Sequence, residues 1–222
     1  MALILSIESS TAICSVALAK DGILLSSREE NEGFTHAEKL TTFVQEVLTE
    51  NNYQISDLDA VAVSGGPGSY TGLRIGVSTA KGLCYACDRP LIVVDTLTAM
   101  ADGAIAKLAL DAFYCPMIDA RRMEVYCAVY ASDLSVLKAT SAIVVDSGFL
   151  NDITGKKIVL FGDGVEKCKS MLSDPKFVFI ESYPSALHLI RLAELKYKES
   201  QFENVSLYEP FYLKEFVAGP RK

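Results

Sequence analysis

The sequence predicts an α/β protein made of two related halves, each a mixed sheet flanked by helices. Three observations predict it. Short apolar runs bounded by turn residues recur along the chain. From residue 36 the apolar spacing changes from a strand period to a helical one. Residues 60–95 then read strand, glycine loop, helix, strand, which requires a parallel pair joined by a right-handed crossover. With 222 residues, the chain is long enough for one large domain or two small ones. The expected division is residues 1–102 and 103–222, with the C-terminal tail packing back on the first half.

The elements follow in order. LILSI near the start is a continuous apolar run, and Cys14, Val16 and Leu18 alternate with small residues. Lys20-Asp21-Gly22 supplies a hairpin turn into a third strand, ILLSS, because glycine tolerates the positive φ of such turns. Leu40, Phe43, Val44, Val47 and Leu48 then form one stripe of an amphipathic helix. Thr35 is its expected N-cap, with Glu38 at capping-box spacing. The strand AVAVS at 60–64 leads to the glycine loop, a helix over about 71–87, the strand at 91–95 and a helix over about 96–109. The second half offers strands at 113–119 and 124–130 around the turn Ala120-Arg121-Arg122. Further strands follow at 157–162 and 177–180, and an amphipathic helix at 185–197.

Composition narrows the function. Half the residues are hydrophobic and 22% are charged, a globular balance. The net charge of −7 works against nucleic-acid binding, whose affinity comes from Lys and Arg neutralising phosphates. An RNA-related role is therefore expected to run through a partner. The opening apolar run has no basic flank and soon meets Glu8, which reads as a buried strand rather than a leader, and no run is long enough to span a bilayer. The six cysteines sit within apolar patterns, as expected of packed thiols in the cytoplasm. Asn204-Val205-Ser206 matches a glycosylation acceptor by chance on that reading.

The stretch VSGGPGSYTGLRIG, residues 63–76, has the outline of a phosphate loop. It lacks the Gly-Lys-Ser/Thr ending whose lysine reaches the phosphates. The dinucleotide pattern is nearer, with Gly66, Gly68 and then Thr71 in place of the third glycine, and Asp95 about where a ribose-binding acid belongs; but a meander precedes this unit. Ser78 and Lys81 spell SxxK, yet Ser78 falls about two turns inside the helix, where its hydroxyl is expected on a backbone carbonyl. In the bland reading, Pro67 and Gly68 turn the chain and Ser69 or Thr71 caps the helix. Gly72, Gly76, Ala80 and Cys84 then recur every fourth residue. Glycine inside a helix costs up to about 1 kcal/mol, so this ladder implies that another backbone comes close, either this domain's own sheet or a helix from another chain.

Elsewhere the chemistry is sparse. His36 and His188 are the only histidines, and neither has a partner one turn away for zinc. Cys84 and Cys87 form a CxxC at a helix end, where packing is the better reading. Asp119, Arg121, Arg122 and Glu124 cluster at a hairpin turn, and Glu8 closes the first strand ahead of Ser9, Ser10 and Thr11.

Several passages together resemble the TsaB (YeaZ) family: IESSTAICSVAL at 7–18, FTHAEKL at 34–40, SGGPGSYTGLRIGVSTAKGL at 64–83, DARRMEVYCAVY at 119–130 and EPFYLK at 209–214. The resemblance covers nearly the whole chain. It implies an actin/Hsp70/sugar-kinase-like (ASKHA) fold of two related subdomains. It also implies a noncatalytic role in N6-threonylcarbamoyladenosine formation at position 37 of tRNAs reading codons that begin with A. The implied partners are the catalytic paralogue TsaD, the ATPase TsaE through the complex, and a second copy of the chain; tRNA is met only through the complex.

The departures from TsaD-like proteins agree. Where those carry acids after the first turn, this chain has Ala12 and Ile13, and where they hold a metal with a histidine pair it has only His36. Neither catalytic residues nor a cofactor or metal is expected. Met123 stands where the family often has glycine, which bears on how tight that hairpin is. The expected partner interface is the small-residue face Gly72, Gly76 and Ala80 beside His36, Leu40, Phe43 and Val47. The competing reading is a self-sufficient nucleotide-dependent enzyme, a kinase-like phosphotransferase or an NAD(P)-binding oxidoreductase.

Overall fold

A computed structural model describes residues 2–31 and 36–214. The first half begins with three antiparallel strands, β1 (Leu3–Glu8), β2 (Cys14–Lys20) and β3 (Ile23–Glu30). Asp21 and Gly22, with φ of 54° and 76°, turn the chain between β2 and β3, the conformation a two-residue hairpin matched to strand twist demands. Helix α1 (His36–Glu50) follows, then β4 (Ala60–Ser64), α2 (Tyr70–Cys87), β5 (Leu91–Val94) and α3 (Thr96–Leu108). The expected Thr35 cap and the His36 side chain lie outside the described residues.

The second half has β6 (Phe113–Asp119), β7 (Glu124–Tyr130), β8 (Val136–Val144), β9 (Ile158–Phe161) and β10 (Phe177–Phe179). A 3₁₀ turn, Ala186–Leu189, leads into α4 (Ile190–Lys198), where the sequence pattern suggests one continuous helix. Strand β8 has no counterpart in the sequence reading. Its VLKATSAIV mixes polar and apolar residues because it lies at a sheet edge, half exposed along its length.

The two sheets share one topology. The first runs β3-β2-β1-β4-β5 and the second β8-β7-β6-β9-β10. In each, the first three strands are antiparallel neighbours, and the fourth and fifth join parallel to the first. The duplication is therefore structural even where no sequence repeat is visible. Helices distinguish the halves. Helices α1 and α2 cover one face of the first sheet around Leu5, Ile7, Val16, Leu40, Val47 and Val77. In the second half, a loop carrying Phe149 and Leu150 and a 3₁₀ turn (Glu166–Met171) take their place.

The remaining two faces are closed by exchange. Helix α3 of the first half packs Leu97, Met100 and Ala104 onto the second sheet, against Tyr114, Ile118 and Phe161. Leu189 and Ala193 of the second half pack onto the first sheet, against Ile4, Ala62 and Ile92. The exchanged segments also touch each other. A Cβ on Gly103 of α3 would overlap the His188 ring, and the Arg191 guanidinium grips the buried Asp102 carboxylate through Nε at 3.0 and 2.9 Å and through Nη2. Among the described residues, no helix is long and apolar enough to cross a membrane.

Candidate functional site

The glycine loop joins the end of β4 to the start of α2. A phosphate loop offers free backbone N–H groups at a helix N-terminus. Here the chain's own atoms take two of them. The Ser69 N–H donates to the Ser10 carbonyl at 2.6 Å, and the Gly72 N–H to Ser69 Oγ at 3.3 Å, so Ser69 caps the helix as its residue type predicts. A Cβ on Gly68 would overlap Ser10, which explains glycine at that position. The loop's other side is covered by a C-terminal strap, residues 203–214. Phe211 N–H donates to the Gly65 carbonyl at 2.7 Å, and the Phe211 carbonyl lies where a Cβ on Gly66 would be. The strap also bonds Glu203 N–H to the Leu91 carbonyl at 2.9 Å and reaches the second half through an ion pair of Lys214 with Glu124.

Glu8, at the end of β1, is buried and accepts from the Ser10 N–H at 2.6 Å. Burial raises its pKa, while the Ser10 and Ser64 groups beside it act against the rise. Its topological counterpart in the second sheet is Asp119, at the end of β6. Asp119 accepts from the Arg121 N–H at 2.6 Å and pairs with Lys167, whose Nζ also donates to the Glu124 carbonyl at 2.7 Å. Asp163, after β9, accepts from the Asp119 N–H at 3.1 Å, and burial raises its pKa. The hairpin acid Asp119 is thus tied to Lys167 and Asp163, while Asp119, Arg121 and Arg122 are exposed, as a solvated turn implies. Arg121 and Arg122 adopt φ of 68° and 52°, the left-handed region, and Met123 does not.

The other sequence candidates resolve into structure. Asp95 caps α3, accepting from the Thr98 N–H at 2.7 Å and hydroxyl at 2.8 Å, so its carboxylate is occupied where a ribose acid would be free. Ser78 is exposed on α2 rather than bonded to a backbone carbonyl, and Lys81 reaches across to the strap carbonyls of Ser206 and Tyr208. Burial pushes the Cys84 thiol up to about 11, the state of a packed thiol.

The expected interface residues do come together, but inside the first half. Leu40, Phe43 and Val47 are buried under α1, and Gly72, Gly76 and Ala80 under α2. The backbone approaching the glycine ladder is the protein's own: a Cβ on Gly76 would overlap Ser9 Oγ, and that hydroxyl donates to the Gly72 carbonyl at 2.9 Å. The ladder's close approach was legible in the sequence, and of the two partners left open, this domain's own sheet or a helix from another chain, the contact seen here is with the domain's own β1 end. His36 opens α1. What the helix pair presents outward is a different set. A groove of about 590 Å³ runs between α1 and α2, lined by Thr41, Gln45, Leu48, Ile55, Thr79 and Leu83 among others. Thr41, Gln45, Thr79 and Leu83 lie beside the buried stripes of the two helices, which is the signal that could have found them, while Leu48 belongs to the buried stripe of α1 and Ile55 to the 3₁₀ turn Ile55–Asp57.

Two duplicated sheets that exchange their inner helices, with acids at matching strand ends, define an actin-like protein of the ASKHA class. At 10% identity the fold is shared by the activator of 2-hydroxyisocaproyl-CoA dehydratase from Clostridium difficile, at TM-score 0.55 over 90% of this chain and 97% of the other. A family model described as TsaD, tRNA N6-adenosine threonylcarbamoyltransferase, matches residues 30–152. The tRNA threonylcarbamoyladenosine biosynthesis protein TsaB of Escherichia coli (strain K12) is 31% identical, covering 97% of this chain and 96% of the relative. YeaZ from Pseudomonas aeruginosa superposes at TM-score 0.83 and 27% identity, over 96% of this chain and all of that one. The chain belongs to the TsaB (YeaZ) family, whose fold and tRNA-modification theme match the resemblance read from the sequence.

Proposed function

We propose that the chain is a noncatalytic partner subunit in cytoplasmic N6-threonylcarbamoyladenosine formation at position 37 of tRNA, docking the catalytic homologue TsaD through the outer face of α1 and α2. The observation that carries this reading is the self-occupied glycine loop. Two of the donors a substrate phosphate would need, the Ser69 and Gly72 N–H groups, are bonded to the Ser10 carbonyl and to Ser69 Oγ, and the strap lies over Gly65 and Gly66. The α1–α2 groove offers a partner helix Ile55 and Leu83 beside the polar Thr41, Gln45 and Thr79, the arrangement of a helix-in-groove contact. TsaE joins through the complex, the same groove accommodates a second copy of the chain, and tRNA binds the assembly rather than this acidic subunit alone.

Co-purification with TsaD, followed by reconstitution of tRNA modification, tests the reading. Gln45→Arg with Thr79→Arg places two charges in the groove without entering the core, and is expected to abolish association and modification while leaving the melting temperature unchanged. Association that survives this double change, or threonylcarbamoyl transfer by the isolated chain, refutes it.

A further inference from the structure

We propose that a notch between α2 and the strap is a binding site for a phosphate group. The notch holds about 210 Å³ and is lined by Arg74, Ser78 and Lys81 of α2 and by Tyr208, Glu209 and Tyr212 of the strap. Residues 74, 78 and 81 share one helix face. Thr79 and Leu83 of the α1–α2 groove lie about half a turn around α2, so the notch and the docking groove are separate surfaces.

The two cations are held in place without being neutralised. The Arg74 guanidinium lies over the Tyr70 ring at 4.6 Å, and its Nε donates to Tyr212 Oη at 3.3 Å. That contact fixes its plane and leaves the terminal nitrogens with no acceptor among the described residues. Lys81 Nζ donates to the Ser206 and Tyr208 carbonyls at 3.3 and 3.0 Å, neutral acceptors that position the ammonium and leave its charge and one proton available. Elsewhere, Arg28, Lys138, Lys167 and Arg191 are each paired with a carboxylate. Neither Arg74 nor Lys81 has a carboxylate within ion-pair distance among the described residues. Glu209 is the one acid on the rim, and it leaves the notch with a net charge of one on a protein of net charge −7.

The donor set favours phosphate over a carboxylate. A planar fork, a point charge and the Ser78 hydroxyl line one notch along a single helix face, a set of donors that suits an anion with three or four oxygens. Because Arg74 is already ordered by two tyrosines, little of its rotamer freedom remains to be lost on binding. The shared chemistry is a phosphate, reached either as the diphosphate of a nucleotide or as a phosphodiester of RNA.

The test uses the intact chain at constant ionic strength. Pyrophosphate, adenosine diphosphate and a short RNA hairpin are titrated separately, and binding is followed by phosphorus NMR and by the Arg74 Nε and Ser78 amide resonances. Arg74→Gln and Lys81→Gln each remove a charge but keep a donor for Tyr212 and for the strap carbonyls. We expect saturable shifts confined to the notch and at least tenfold weaker binding in either variant, with melting temperature unchanged. Binding of the small diphosphates alone assigns the notch to a free phosphate or nucleotide. A hairpin affinity whose salt slope falls by about one in the variants assigns it to RNA. Absence of saturable binding by all three probes, or equal binding by wild type and variants, overturns the proposal. Groove association with TsaD is measured on the same variants and is expected to be intact, so this inference and the docking reading fail separately.

Discussion

Gly76 shows how a single missing side chain sets the distance between α2 and β1. Its Cα sits against Ser9, whose hydroxyl is already bonded to the Gly72 carbonyl, so any larger residue must break that bond or push the helix off the sheet. Gly76→Leu is expected to cost about 1–3 kcal/mol by overpacking, read as a lower melting temperature in the isolated chain. Unchanged melting would mean that the helix can retreat from Ser9. His188 carries a second residue-scale expectation. Burial against Gly103 lowers its pKa, with Glu29 and Asp102 pulling the other way. The unfolded chain then binds the proton more readily, so this contribution to stability is complete above the ordinary histidine value of about 6.5 and is lost as pH falls below it. Melting temperatures of wild type and His188→Asn between pH 7.5 and 5.5 should converge as pH drops; parallel curves would show that His188 does not couple to folding. Both sites were half legible in the sequence. The ladder announced a close approach and the amphipathic pattern at 185–197 placed His188 on a packing helix, but which surface fills each gap depends on contacts between residues 67 and 85 positions apart, which no local pattern records.

Among elements, the legible ones were those with a strong period and a clear cap. Helix α2, capped by Ser69, and α3, capped by Asp95, lie within a residue or two of where the stripe and cap residues put them. Strands β4 and β6, buried on both faces, read as continuous apolar runs for the same reason. Edge strand β8 was missed because half its side chains face solvent and its alternation is weak. The strap was legible as a family signature and as a tail expected to pack back on the first half, but not in its contacts, since an irregular segment held by backbone bonds leaves no periodicity. Those bonds make a prediction for the strap as an element. Phe211→Pro deletes the N–H donated to the Gly65 carbonyl, and losing one such bond costs about 1 kcal/mol. Hydrogen exchange at Gly66 and Gly68 should accelerate while amides of β7 and β9 keep their protection. Unaltered exchange at the loop would show that the strap is held by its side chains instead.

For the whole molecule, the helix exchange outweighs any single contact. Each sheet receives one of its two covering layers from the opposite half, so the halves are related in topology but not independent in stability. A fragment comprising residues 1–112 keeps α3 without the sheet it packs on, and keeps Ile4, Ala62 and Ile92 without Leu189 and Ala193. It is expected to bind a hydrophobic dye and to unfold without a sharp transition, whereas the full chain melts in one step; a cooperative, dye-silent fragment would refute this. The exchange has a consequence for synthesis. As the polypeptide leaves the ribosome from its N-terminus, β1 through β5 emerge early and can pair, yet the segment that seals their inner face, residues 186–198, is translated long after them. During that interval a row of aliphatic side chains has no cover of its own. The nascent first half therefore depends on the speed of elongation, or on a chaperone, until residue 198 has been made.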